Sequence, residues 1–353
     1  MTDYRITNCH LHLFTLDHVP EDFPVAIVGA IRKNPKLIRF FSNILVGPFR
    51  ELGLQVEKLG RMAAVGQLKS QQQVLRSVLP QYPDDARFVV LPMDIAASGY
   101  KEAPKDIAAQ HRELFELSKD PAFKDRILPF AKVNPRRADA FDEFRRCIEE
   151  YGFHGLKIYP KLGYDPRDPM LMSKVYPYCV DHNIPVMSHC SRGGVYGRGF
   201  KGKVGQDLGS PRNYERVLKE FPELRVCLAH FGGSDEWDDY IAGIDPLDAQ
   251  SRSRNWVATI RDMITSGDFP NLYTDISYTM FDFEENIPFL SVFLENDKLR
   301  DRVLFGSDYY MTKQEDLSER AVSMRLRHAL GGDTFRQIAH VNPTRWLTGT
   351  EPA

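Results

Sequence analysis

The sequence lacks most of the features that assign a protein at a glance. No apolar run approaches the roughly 20 residues that a membrane-spanning helix needs, so no membrane partner is expected. The start, Met1-Thr2-Asp3-Tyr4-Arg5, has no cationic stretch leading into an apolar one, which argues against a secretory signal. Cysteine is scarce: Cys9, Cys147, Cys179, Cys190 and Cys227 are odd in number, scattered and never spaced C-x-x-C. That excludes a disulfide framework and a zinc knuckle, and it predicts reduced, mostly buried thiols in a cytoplasmic protein. Neither sign of charge is in excess, with 46 Lys+Arg against 48 Asp+Glu and a net charge of −2. Dedicated nucleic-acid binding would need a basic excess. There is no internal repeat, no low-complexity tract, and no G-x-G-x-x-G or G-x-x-x-x-G-K-[ST] phosphate loop. Hydrophobic residues at 42% and charged residues at 27% exclude disorder and fibrous repeats.

What is there is an alternation. Apolar runs rich in Val, Ile, Leu and aromatics occur at Tyr4–Phe14, Arg87–Ile95, Ile127–Asn134, Gly152–Pro160, Ile184–Cys190, Arg225–Gly232, Asn271–Tyr278 and Val303–Tyr310. Between them lie amphipathic windows such as Asp106–Leu117, Ala138–Ile148 and Leu317–Leu330. Their apolar residues approximate a 3.6-residue period and suit helices packed on a sheet. Strand–helix alternation repeated eight times predicts an α/β fold, a (β/α)8 TIM barrel, and 353 residues fit one barrel with an insertion. A doubly wound sheet would call for the missing phosphate loop. The alternation breaks once, after the first strand. Residues 15–80 read as a helical insert within the single barrel, cationic at Arg32, Lys33, Lys36, Arg39 and Arg50, and serving as a lid or an oligomer contact.

Barrel active sites are built at the C-terminal ends of the strands. The first strand ends in His10-Leu11-His12, and residues two apart share a face, so two imidazoles can point at one spot. Strand five ends in His189, strand six in His230 and strand eight in Asp308. Imidazole and carboxylate are donors for zinc and similar divalent ions. Any one of these groups could simply satisfy its neighbours in the barrel rim. All five at strand ends predict a His3Asp ligand set with a histidine to spare.

In that order, His10-Leu11-His12, His189, His230 and Asp308 resemble the amidohydrolase superfamily, closest to its amidohydrolase-related, metal-dependent hydrolases and decarboxylases. Gly155-Leu156-Lys157-Ile158-Tyr159-Pro160 is similar to the G-[IL]-K-[LI]-x-P strand of that group, and His340–Leu347 to its terminal helix. Two departures stand out: Asn8 where many members have Asp, and Pro343 after Asn342 in place of Ala. The resemblance implies that His10, His12, His189 and Asp308 hold a divalent metal, most simply Zn, with Mn an alternative. It further implies that Asp308 acts as general base and His230 as an acid/base or oxyanion-stabilising group.

Other residues have two readings. Arg192, just past His189, is placed to meet a substrate carboxylate or to be an ordinary loop arginine. Asp275 and Asp94, at the ends of strands seven and two, are candidates to orient a ligand histidine. Lys157 shares a face with Gly155 and Tyr159 and aims at the same mouth, which makes Lys157 and Tyr159 candidates to bind substrate. Lys157 can be a neutral amine, a paired ammonium or a carbamate bridging two metals; one metal with unmodified Lys157 is favoured. The expected activity is hydrolysis of a C–N or C–O bond in a small anionic substrate. Decarboxylation of an aromatic or unsaturated carboxylic acid is the alternative, and a non-catalytic ligand-binding barrel is the third reading; under any of them a homo-oligomer is open.

Overall fold

Each of the eight apolar runs marks one strand of a single parallel sheet: β1 (Thr7–Leu11), β2 (Arg87–Val90), β3 (Ile127–Lys132), β4 (Gly155–Ile158), β5 (Val186–Ser191, one residue past its run), β6 (Val226–Gly232), β7 (Leu272–Asp275) and β8 (Val303–Leu304), in the order β1 to β8. The computed structural model describes residues 4–23, 58, 60, 61, 64–243, 254–281 and 283–352. The ring closes through two backbone hydrogen bonds, from the Cys9 N–H to Phe305 O (2.8 Å) and from the Asp308 N–H to His10 O (3.0 Å). The fold is therefore a TIM barrel. The predicted amphipathic windows become the helices Ile107–Lys119, Ala140–Glu149 and Glu319–Leu330, the first and last begun by caps from Asp106 and Ser318.

The interior of the barrel is filled by side chains. Cys9, Val89, Leu91, Leu128, Phe130, Met187, Cys227, Ala229, Tyr273, Leu304 and Trp346 form one buried cluster inside it. Phe130 is opposite Gly155 in the β3–β4 register, and a Cβ on Gly155 would fall within contact distance of the Phe130 ring. The glycine is thus the space the phenyl ring needs. Above this layer the inward positions turn polar.

Arg32, Lys33, Lys36, Arg39 and Arg50 of the insert lie outside the described residues. Its described parts include a 3-10 turn at Leu16–His18 and a helix at Gln71–Val78. Lys58 pairs with Glu315, and Arg61 donates to Gln314 O at 3.0 Å, which places this stretch beside the segment that follows β8. Among the described residues, no helix is long and apolar enough to cross a membrane.

Candidate active site

Four imidazoles meet at the barrel mouth. Ring centroids are 5.2 Å apart for His10–His12, 4.6 Å for His10–His230 and 4.8 Å for His189–His230. Each ring has one nitrogen fixed by a neighbour. His10 Nδ1 lies 2.9 Å from Asp275 Oδ2, and His12 Nδ1 donates to Leu91 O at 2.7 Å. His230 Nδ1 faces Ser277 O at 3.2 Å, while His189 uses Nε2, 3.2 Å from Gly193 O. A carboxylate or carbonyl partner accepts, so the bonded nitrogen carries the hydrogen and the other keeps its lone pair. The free lone pairs are therefore on Nε2 of His10, His12 and His230, and on Nδ1 of His189.

Burial holds the rings neutral. It pulls His10, His189 and His230 well below the usual imidazole value and His12 to about 3, with Lys157 adding to the shift in each case. Neutral imidazole is the metal-binding form. Nε2 of His10 is buried with no hydrogen-bond partner. The ligand atoms of His10, His12 and Asp308 lie within 4.8 Å of one another, close enough to share one ion. His189 stands outside that trio, stacked on Tyr159 at 3.9 Å, with the Tyr159 hydroxyl accepting from the Val195 N–H. Burial also raises the Asp308 carboxyl to about 7 and lowers the Lys157 ammonium to about 8, against attraction to Asp275 and Asp308. Lys157 Nζ has no hydrogen-bond partner and the residue is fully buried.

The backbone is bent to reach this arrangement. His230, Phe231, Tyr278 and Asp308 all have positive φ, at 71°, 42°, 66° and 55°. Such conformations cost on the order of 1–3 kcal/mol each and cluster where function requires them. Phe231 is held by Trp237, whose indole N–H donates to its carbonyl at 3.1 Å.

The remaining predicted residues separate into two groups. Asp275 sits inside the site, with Oδ2 on His10 and Oδ1 accepting from the His230 N–H at 3.0 Å and from Ser277. Asp94 is instead gripped at two points by Arg137, at 2.6 and 2.9 Å, while His12 takes the Leu91 carbonyl. The Arg192 guanidinium is committed to Glu236, Gln206 Oε1 and Arg254 O, above the Trp256 ring. A carboxylate on the helix Ser234–Gly243, 44 residues downstream, thus occupies the fork that was a candidate for substrate.

Three residues of the site were not anticipated. Ser277 touches both His10 and His230 Nδ1, at 3.1 and 3.0 Å. Buried Lys161 donates to the carbonyls of Ser191, Arg192 and Gly193, fixing the loop that carries the His189 partner. Lys132 is buried on β3 in register with Lys157. The two-residue period that picks out Lys157 would also have found Lys132, whereas nothing local marks Ser277 or Lys161. A second buried trio, His111, Glu143 and Cys147, lies elsewhere. There the His111 nitrogens are engaged by Glu143 and the Lys132 N–H, a packing role.

The amidohydrolase family model matches residues 8–348. Similar solved structures include 4-oxalomesaconate hydratase from Rhodopseudomonas palustris, 16% identical, with 97% of this chain and 95% of that one covered and a TM-score of 0.55. A 5-carboxyvanillate decarboxylase from Sphingomonas paucimobilis is 14% identical, covers 98% and 99%, and has a TM-score of 0.57. Another, from Novosphingobium aromaticivorans and complexed with manganese and a nitrobenzoic acid, is 13% identical, covers 98% and 96%, and has a TM-score of 0.58. No curated protein sequence matches. At such identities the solved structures share the fold, and the family model carries the assignment. With the motif histidines and Asp308 at the mouth of the barrel and 8–348 matched, the chain belongs to the amidohydrolase family, whose members are metal-dependent enzymes.

Proposed function

We propose that the protein is a metal-dependent hydrolase that cleaves a C–N or C–O bond of a small anionic substrate. One observation carries this reading: a buried, unpartnered His10 Nε2 set within 4.8 Å of donors from His12 and Asp308. A buried bare acceptor is unfavourable, and a divalent cation satisfies it. His10, His12 and Asp308 would hold the ion, with His189 as further donor; zinc suits this set, manganese is compatible, and one ion fits an unmodified Lys157. When bound, such an ion acidifies water and polarises the scissile carbonyl.

The chain's own groups do the rest. Asp308 takes the proton of the attacking water as general base. His230, its Nδ1–H anchored on Ser277 O, presents a bare Nε2 that accepts that proton from Asp308 and passes it to the leaving group. Asp275 orients His10, Tyr159 backs the His189 ring, and Lys157 draws the substrate's negative charge into the mouth. Asp94 and Arg192 stiffen the surrounding loops through Arg137 and Glu236. The 15–80 insert is assigned as a lid or an oligomer contact; of its described residues, Lys58 and Arg61 dock beside the segment after β8. Five free, buried thiols suit a reducing cytoplasm.

Metal analysis of purified protein tests the reading. About one equivalent of zinc or manganese is expected, together with turnover of lactones or amides that is lost in His10→Ala. Metal-free protein that cannot be reconstituted would point to a ligand-binding barrel. Non-oxidative decarboxylation is the second reading, favoured by the partnerless Lys157 ammonium, a ready counter-ion for a carboxylate, and by the fold shared with two decarboxylases. Carbon dioxide release from aromatic acids, without hydrolysis, would decide for it.

A further inference from the structure

Two lysines are buried side by side at the mouth, and the proposed chemistry uses only one. Lys132 on β3 pairs in register with Lys157 on β4, so their side chains leave the sheet on the same inner face, from strands about 4.8 Å apart. Lys132 is 3% exposed and Lys157 0%. Lys157 Nζ has no hydrogen-bond partner. Lys132 Nζ reaches the Tyr164 hydroxyl at 3.4 Å, a long contact to an oxygen that already accepts from the Tyr159 N–H and donates to Val133 O. It also lies 5.8 Å from the centroid of the Tyr159 ring, which stacks on His189.

Burying an ammonium is costly unless an anion meets it. The nearby carboxylates are committed: Asp94 to Arg137, Asp275 to His10, His230 and Ser277, and Asp308 to the donor trio. Lys132 and Lys157 are thus left as two buried lysines with no carboxylate of their own. A dianion balances them. The two cations are separate points rather than one cradle, and the backbone N–H turn or arginine fork that gathers a phosphate is not what the pair offers. Arg192, the other candidate cation, is held by Glu236.

We propose that Lys132 and Lys157 form a two-point anion subsite and that the substrate is a small dicarboxylate, one carboxylate held at each lysine. This deepens the catalytic reading and rests on it only for calling the bound anion a substrate. Calorimetric titration of the whole protein, metal-loaded and chelator-stripped, tests it with phthalate and isophthalate against benzoate, succinate against butyrate, and phenyl phosphate. At least one dicarboxylate should bind roughly tenfold or more tightly than its monoacid, the scale of a charge-assisted contact. Lys132→Met should abolish that preference while leaving monoacid binding and metal content unchanged, and Lys132→Arg should keep part of it. Dicarboxylates no tighter than monoacids in the wild type would overturn the proposal, even if Lys132→Met failed to fold. So would equal weakening of both ligand types in Lys132→Met, or phenyl phosphate binding more tightly than any dicarboxylate. Metal-free protein that cannot be reconstituted but still prefers dicarboxylates would sink the catalytic reading and keep the subsite.

Discussion

Asp275 serves two histidines at once, through the His10 ring and the His230 backbone, and Ser277 tightens both contacts. Its carboxylate fixes which His10 nitrogen keeps a lone pair. Asp275→Asn preserves size but lets an amide N–H face the ring N–H. Metal affinity should fall by about 10–100-fold, the usual cost of removing such a partner, as read by chelator competition; unchanged affinity would deny Asp275 this role. Asn8 works on the opposite side of β1. Its Nδ2 donates to Tyr82 Oη at 2.9 Å and Ser307 Oγ at 2.7 Å, while Oδ1 accepts from the N–H groups of His10 and Ser307. The Tyr82 hydroxyl already donates to Glu319, so it needs a donor from residue 8. That accounts for an asparagine at position 8. Asn8→Asp should cost about 1–3 kcal/mol in urea unfolding, and a neutral effect would mean the network can re-form.

At the level of elements, the strands were legible because alternation and apolar runs are local properties. The same-face rule brought His10 with His12, and Lys157 with Tyr159. What it could not reveal is where the ring hydrogens go. Of the partners, Asp275 alone was marked by its strand-end position; Leu91, Gly193 and Ser277 come from other strands or loops with nothing local to mark them. The partners of Arg192 and Asp94 are equally remote in the chain: Glu236 reaches Arg192 from the helix Ser234–Gly243, and Arg137 reaches Asp94 from the turn after β3. The end of β8 also differs from a simple strand end. It stops at Leu304, and the chain reaches Asp308 through a stretch bonded to Cys9 and His10 before turning to positive φ. Between β3 and β4 the fit is steric. Gly155→Ala pushes a methyl group into Phe130, an overpacking that should cost about 1–3 kcal/mol. Gly155→Ala combined with Phe130→Leu should recover part of that loss in thermal unfolding; no recovery would place the strain elsewhere.

Across the whole molecule, the sheet closes on itself in sequence order, so the segment after β1 must be tied to the outer helices for the mouth to hold its shape. Glu113, on the helix Ile107–Lys119, makes that tie. It accepts from the Gln71 N–H at 3.0 Å, lies 3.2 Å from His18 Nε2, and meets Lys105 at 3.4 Å. Three parts of the chain converge on one carboxylate. Burial raises its pKa, but the contacts with His18, Gln71 and Lys105 outweigh burial and bring it from 4.5 down to about 2. A carboxyl depressed in the folded state stabilises fully above its unfolded value, and that contribution disappears as pH falls through the folded value. The window here runs from pH 4.5 down to about 2. Glu113→Gln removes the titrating group and leaves the other carboxyls in place, so their effects cancel in the difference between the two proteins. The variant should melt about 1–3 °C lower near neutral pH, a modest shift because the pair is partly solvated and the chain is long. That gap should narrow steadily as the pH is lowered through the window. A gap that stays constant with pH would mean that Glu113 contributes by packing, and that the ionic tie between the insert and the barrel does not hold.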